Sequence, residues 1–183
     1  MKPRSPKRKK LMAAFLSLLY TICMMYLLFL RRLTNGRADH FRLSAQTYGY
    51  RRTVRNNINL VPFRTIRRFY RSWCASVAEN GFDPLEYGFI NNVGNVLLFV
   101  PLGILLPYFW KSQRNPLVFL FTTAFLIVCV EVTQGLLLLG SCDIDDLILN
   151  TAGAAIGYLF YMLIYLIRKK RESYETSNKS GKV

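Results

Sequence analysis

Four stretches of this chain are apolar almost without interruption, separated by short or polar connections. Leu11 to Leu30 is an uncharged run of twenty residues, with MKPRSPKRKK before it and Arg31 and Arg32 after it. Three further blocks lie at roughly 93–110, 116–139 and 147–167. At about 1.5 Å rise per residue, each is long enough to cross a hydrocarbon core about 30 Å thick. The pattern predicts an all-α integral membrane bundle of four transmembrane helices. The first block has the basic start of a signal peptide. It exceeds the usual apolar length of about 7–15 residues, however, and no small-x-small cleavage site follows it. Residues 11–30 therefore read as a retained first transmembrane helix.

The long connection at 31–91 has one patterned piece, PFRTIRRFYRSWCASVAENG. Phe63, Ile66, Tyr70, Trp73 and Val77 recur at spacings of three and four, which predicts one helical face. Arg64, Arg67, Arg68 and Arg71 fall largely on the others. Pro62 suits the start of this helix and Gly81 its end. Aromatics on one side and arginines on the other suit a helix lying in the membrane interface. Its guanidinium groups match phosphate or pyrophosphate geometry, so a headgroup contact is one reading and a plain interfacial platform the other. The rest of 31–91 shows no convincing alternation or periodicity, and the lone His40 lies there.

Charge sets an orientation. The formal net charge is +15 over 183 residues, with 52% hydrophobic residues. Lys2, Lys7, Lys9 and Lys10 precede the first helix, Lys111 sits between the second and third, and Lys169, Lys170, Lys179 and Lys182 follow the fourth. With four crossings these segments share one side, which the positive-inside rule makes cytoplasmic. The expected layout is a basic cytoplasmic tail at 1–10, an extracytoplasmic loop at 31–91 and a polar cytoplasmic tail at 168–183. Both termini of this multi-pass cell-membrane protein then face the cytoplasm. The basic ends suit anionic lipid headgroups better than nucleic acid. Cys23 and Cys129 sit in apolar blocks. Cys74 and Cys142 would share the extracytoplasmic side, where a disulfide is permitted, but nothing in the sequence brings them together.

Against this background a few polar residues stand out. Glu131 and Gln134 lie in the third apolar block, three apart and so on one face. Glu131 is about eight residues, or roughly 12 Å, from the block's end. A carboxylate in that setting costs on the order of 3 kcal/mol, so it must be neutral, paired or beside water. Asn92 and Asn95 share a face at the start of the second block. Asp143, Asp146 and Asn150 share one at the start of the fourth. Under the expected topology all of these gather toward the outer leaflet. Asp145 points elsewhere and reads as a helix cap or solvent-facing charge. Gly153 and Gly157, with Ala154 beside them, form a small-xxx-small packing face. Asn95, Gln134 and Asn150 could equally be hydrogen-bond glue between helices, worth under about 1–2 kcal/mol each.

Oxygen ligands of this kind suit Mg²⁺ or Ca²⁺, with Asp143 and Asp146 as the candidate metal ligands. No cofactor motif accompanies them. There is no paired DDxxD pattern, no glycine-rich phosphate loop, no zinc-ligand spacing and no nucleophile with an evident base.

NLVPF (Asn59 to Phe63), NVLLFVPLGILLP (Asn95 to Pro107), ExxQ (Glu131, Gln134) and DIDDLILNTAGAAIG (Asp143 to Gly157) together resemble the VanZ-like family over about 59–167. The matching positions are Asn59, Pro62, Phe63, Asn95, Pro101, Gly103, Glu131, Gln134, Asp143, Asp146, Asn150 and Gly153. The resemblance implies a membrane protein of a type first associated with low-level resistance to teicoplanin, a lipoglycopeptide, without remodelling of the drug's target. Three readings stay open on the sequence. In one, a binding site of Asn95, Glu131, Gln134, Asp143, Asp146 and Asn150, with Arg64, Arg67, Arg68 and Arg71, holds a membrane amphiphile such as a lipid-linked wall precursor or a lipoglycopeptide. In the second, a metal-assisted hydrolase or transferase acts on a lipid-linked phosphate. In the third, the protein is a structural partner of wall-synthesis machinery and its polar groups serve packing.

Overall fold

A computed structural model describes residues 6–34, 37–81 and 87–180. Lys2 and Lys182, two of the charges that orient the chain, lie outside the described residues. The described residues are all-α apart from one two-residue bridge. Helix α1 (Pro6–Met25) passes through a π-helical turn (Tyr26–Leu30) into α2 (Arg31–Thr34). Then come α3 (Arg37–Tyr48), α4 (Tyr50–Asn56), β1 (Ile58–Asn59), α5 (Arg64–Asn80), α6 (Tyr87–Phe109), a 3₁₀ turn, α7 (Pro116–Leu136), β2 (Cys142–Asp143) and α8 (Ile144–Ser180). Four helical stretches are long and apolar enough to span a membrane: Lys10–Thr34, Asn92–Phe109, Pro116–Leu136 and Ile144–Glu175. They coincide with the four apolar blocks.

The chain divides into two compact units, Met1–Thr65 with Val128–Asp145, and Ile66–Ile127 with Asp146–Val183. In the first unit, β1 and β2 pair in parallel, Ile58 with Cys142 and Asn59 with Asp143. The Cys142 amide donates to the Asn57 carbonyl at 3.0 Å and extends this bridge. The Tyr50 hydroxyl donates to the Leu136 carbonyl at 2.8 Å, holding the start of α4 to the end of α7. Helices α3 and α4 occupy sequence that shows no periodicity. Among their described residues only Ala38 and Thr53 are buried, so no apolar stripe exists for a pattern to reveal. Gly49, at φ 86°, turns the chain between them, a conformation that favours glycine.

In the second unit, α6 and α8 run parallel with their backbones in near contact. A Cβ added at Gly153 would overlap the Val96 carbonyl, one at Gly157 the Val100 carbonyl, and one at Gly103 the Ala154 carbonyl. With Cβ atoms at these glycines the two helices could not approach so closely. The turn between α6 and α7 is fastened to α8. The Tyr158 hydroxyl donates to the Arg114 carbonyl at 2.6 Å, and the Arg114 guanidinium lies 4.6 Å over the Tyr165 ring. Phe119 stacks on Tyr158 with centroids 4.4 Å apart. Asn115 caps α7 by accepting from the Leu117 amide at 2.9 Å, with Pro116 at the first helical position where its missing N–H costs nothing.

The polar tail at 168–183 is helical as far as Ser180, because α8 meets neither glycine nor proline between Gly157 and Gly181. An Arg171–Glu175 pair at 3.4 Å supports the helix one turn apart.

Candidate functional site

The acidic stretch that opens α8 does two different jobs. Asp143 stands just before the helix and accepts the Asp145 amide at 2.9 Å, the bond made by an N-cap. The same oxygen receives the Asn59 amide group at 3.0 Å, and the other oxygen receives the Thr65 hydroxyl at 2.6 Å. Asp143 is 6% exposed, so these donors replace the water it has lost. Its own amide points at Glu131 Oε2, 3.4 Å away, which brings the buried acid of α7 onto the same knot.

Asp145 overturns its expected place. It is neither the cap of its own helix nor a charge facing solvent. Its side chain is fully buried, and its two oxygens accept the backbone amides of Phe63 and Thr65, the latter at 2.6 Å. Phe63 stands immediately before α5 and Thr65 lies in its first turn, where the leading N–H groups have no partner within the helix. A carboxylate is the favoured group at that end of a helix dipole. Asp145 thus caps α5 from about eighty residues away in sequence. Phe63 is held at φ 61°, a left-handed conformation that is unfavourable for a bulky residue. Capture of its amide by Asp145 is the interaction that holds it there.

Glu131 and Asp143 therefore meet in the first unit. Gln134, also in that unit, goes elsewhere: its amide donates to the Leu28 carbonyl at 3.0 Å. Leu28 lies in the π-helical turn of the first span, where the altered ladder leaves backbone groups in need of partners. Gln134 Oε1 is buried with no hydrogen-bond partner. Nearby in the same unit, Arg32 packs over Gly140, and a Cβ there would displace the end of the guanidinium. Asn95 and Asp146 meet in the second unit, amide to carboxylate at 2.9 Å. Asn150, one turn further along α8, is 2% exposed and its Oδ1 has no partner.

Asp143 and Asp146, the candidate metal pair, thus fall in different units and serve different partners. Both Asp143 oxygens are already engaged by donors, the state of a structural carboxylate. Among the described residues no three of His, Cys, Asp and Glu gather as a ligand set for a metal. All four cysteines are free thiols.

Helix α5 spans Arg64–Asn80, starting after Pro62 and ending at Gly81, at φ 80°, as the pattern predicts. Arg64, Arg67, Arg68 and Arg71 are spaced by three, one and three, so they form one stripe, and all four are exposed. Among the described residues none of them is paired with a carboxylate. Ile66, Trp73 and Val77 on the other side are partly covered. Beside the stripe, a hydrogen bond with Cys74 one turn on raises the Tyr70 phenol above its usual value near 10.

Thr65 and Arg32 carry no sequence signal as site residues. Asn59 is visible only as a position of the NLVPF block. No periodicity marks it, since a two-residue bridge is too short to have one.

Taken together, four spans, an acidic knot at the start of the last one and an arginine-striped helix capped by that knot define a class: all-α, multi-pass membrane proteins with buried polar anchors. Within it, the chain belongs to the VanZ/LLP1 family, which matches residues 16–165 and so takes in the first span as well. No curated protein and no solved structure matches it.

Proposed function

We propose that this VanZ-like protein acts at the outer leaflet of the cell membrane, where the arginine stripe of α5 binds an amphiphile with an anionic head. A lipid-linked wall precursor and a lipid-tailed glycopeptide both have that chemistry, and holding either would lower susceptibility to teicoplanin-type drugs. The observation that carries this reading is the stripe itself: four exposed guanidinium groups on one helical face, with no carboxylate partner among the described residues. Guanidinium forks pair with phosphate or carboxylate oxygens in a bidentate way that lysine cannot reproduce. The buried acids then have a supporting role. Asp145 fixes the first turn of α5, and Asp143, Asn59 and Thr65 fix Asp145's surroundings.

The test is susceptibility. Wild type and the fourfold variant Arg64→Gln, Arg67→Gln, Arg68→Gln, Arg71→Gln are expressed at matched levels in a susceptible host. Wild type raises the inhibitory concentration of teicoplanin and the variant does not, while a glycopeptide without a lipid tail is unaffected by either. Equal protection by the variant, or none by wild type, overturns the proposal.

The reading as a structural partner also has an observation in its favour. The carboxylates of Asp143 and Asp145 are hydrogen-bonded within the fold, which gives these acids a packing role whatever the arginines do. Under that reading the fourfold variant protects as well as wild type.

A further inference from the structure

The contact face between α6 and α8 carries more hydrogen-bond acceptors than its packing uses. On α8, Asp146, Asn150, Gly153 and Gly157 follow one another at spacings of four, three and four, so they share a face. Gly153 and Gly157 lie against the Val96 and Val100 carbonyls, which fixes that face as the one turned to α6. On α6, Asn92 precedes Val96 by one turn and Asn95 is Val96's neighbour. The Asn95 amide donates to Asp146 at 2.9 Å and ties the two polar pairs together. Yet Asn92 Oδ1 and Asn150 Oδ1 are both buried and have no hydrogen-bond partner, and Asn150 as a residue is only 2% exposed. A buried amide oxygen without a donor costs about 1–3 kcal/mol. An apolar residue at either position would remove that cost, so two orphan oxygens on the same contact face as a carboxylate point to a ligand.

We infer that the α6–α8 seam binds a compact monovalent cation, held by the side-chain oxygens of Asn92, Asp146 and Asn150. Oxygen-only ligands are those that hard cations take. The single carboxylate matches a single positive charge. A divalent ion would leave net charge in a membrane-embedded seam, where unpaired charge is costly. The glycine contacts hold the two helices at fixed spacing, so the cradle is small and rigid. An alkali ion and the primary ammonium of a lipid headgroup share this chemistry. The site stands whether or not the arginine stripe binds an anionic amphiphile.

The experiment uses the full chain in phosphatidylglycerol nanodiscs and follows thermal unfolding by tryptophan fluorescence. Choline chloride is the baseline, because its trimethylated cation is too bulky for the cradle. In one arm choline is replaced by sodium or potassium at constant chloride. In the other, phosphatidylethanolamine is added in choline. The inference predicts that Tm rises in at least one arm, by roughly 3 °C for about tenfold ligand excess over Kd. A rise with alkali ions names the inorganic source, and a rise with phosphatidylethanolamine names the headgroup. Asn150→Leu is expected to match or exceed the wild-type Tm in choline and to lose the rise. Asn92→Leu, at a less buried position, repeats the test if Asn150→Leu does not fold. An unchanged wild-type Tm in both arms overturns the inference, as does a full rise retained in the leucine variants that fold.

Discussion

Asp145→Ala removes the cap that α5 receives from the start of α8. Its two oxygens accept the amides of Phe63 and Thr65, and hydrogen bonds to a charged group contribute about 1.5–3 kcal/mol each. Phe63 precedes α5 and Thr65 lies in its first turn, so neither amide has an intrahelical acceptor to turn to. Loss of both is therefore expected to cost about 3 kcal/mol, allowing for water reaching the opened turn. At about 2–4 °C per kcal/mol for a chain of this size, Tm falls by roughly 6–12 °C. Asp145→Asn keeps one acceptor and turns its other end into a donor facing an N–H, so it is expected to cost about half as much. Thermal unfolding in detergent gives the magnitude. Hydrogen exchange gives the location, because amides at 63–67 should lose protection while those in the middle of α6 keep theirs. An Asp145→Ala protein with wild-type Tm and unchanged exchange at 63–67 would refute the capping account, whatever it did to activity.

Other predictions follow from the packing. Gly153→Ala places a methyl group on the Val96 carbonyl and should cost at least the upper end of the roughly 1–3 kcal/mol typical of overpacking, seen as lost yield or lowered Tm. Gly94→Ala meets nothing within 4 Å and should be neutral or gain up to about 1 kcal/mol from helix propensity. Gln134→Leu gives up the bond to the Leu28 carbonyl and should cost about 1 kcal/mol, with faster amide exchange confined to the π-helical turn. Tyr158→Phe removes the hydroxyl bonded to the Arg114 carbonyl and should also cost about 1 kcal/mol, loosening the α6–α7 turn but leaving exchange at 63–67 unchanged.

The four spans and α5 were legible because their signals are local. An unbroken apolar run, a three-four spacing and the pair Pro62 and Gly81 need no knowledge of neighbours. The close approach of α6 and α8 was half legible: Gly153 and Gly157 announce a tight contact, but not that Val96 and Val100 supply the other side. Polar partners were the hard part. The shared face of Asp146 and Asn150 follows from helix geometry, whereas Asp143 stands before the helix, and which acid meets which donor depends on a chain returning after about eighty residues. Asp145 shows the difficulty most clearly. Its helical phase sets it apart from its neighbours, which suggests a cap of its own helix or a solvent-facing charge, whereas the direction it faces is filled by the start of α5. Helices α3 and α4 bury too little to leave a pattern in the sequence.

The central claim is that the arginine stripe takes an anionic head. Native mass spectrometry of the full chain, extracted from matched membranes, measures it directly. A basic residue near an anionic lipid surface contributes about 1 kcal/mol, so four acting together should change retention by at least about tenfold. The account predicts that wild type retains phosphatidylglycerol in preference to phosphatidylcholine, and that the fourfold arginine-to-glutamine variant loses this preference while staying folded. Equal phosphatidylglycerol retention by the two folded proteins would contradict it.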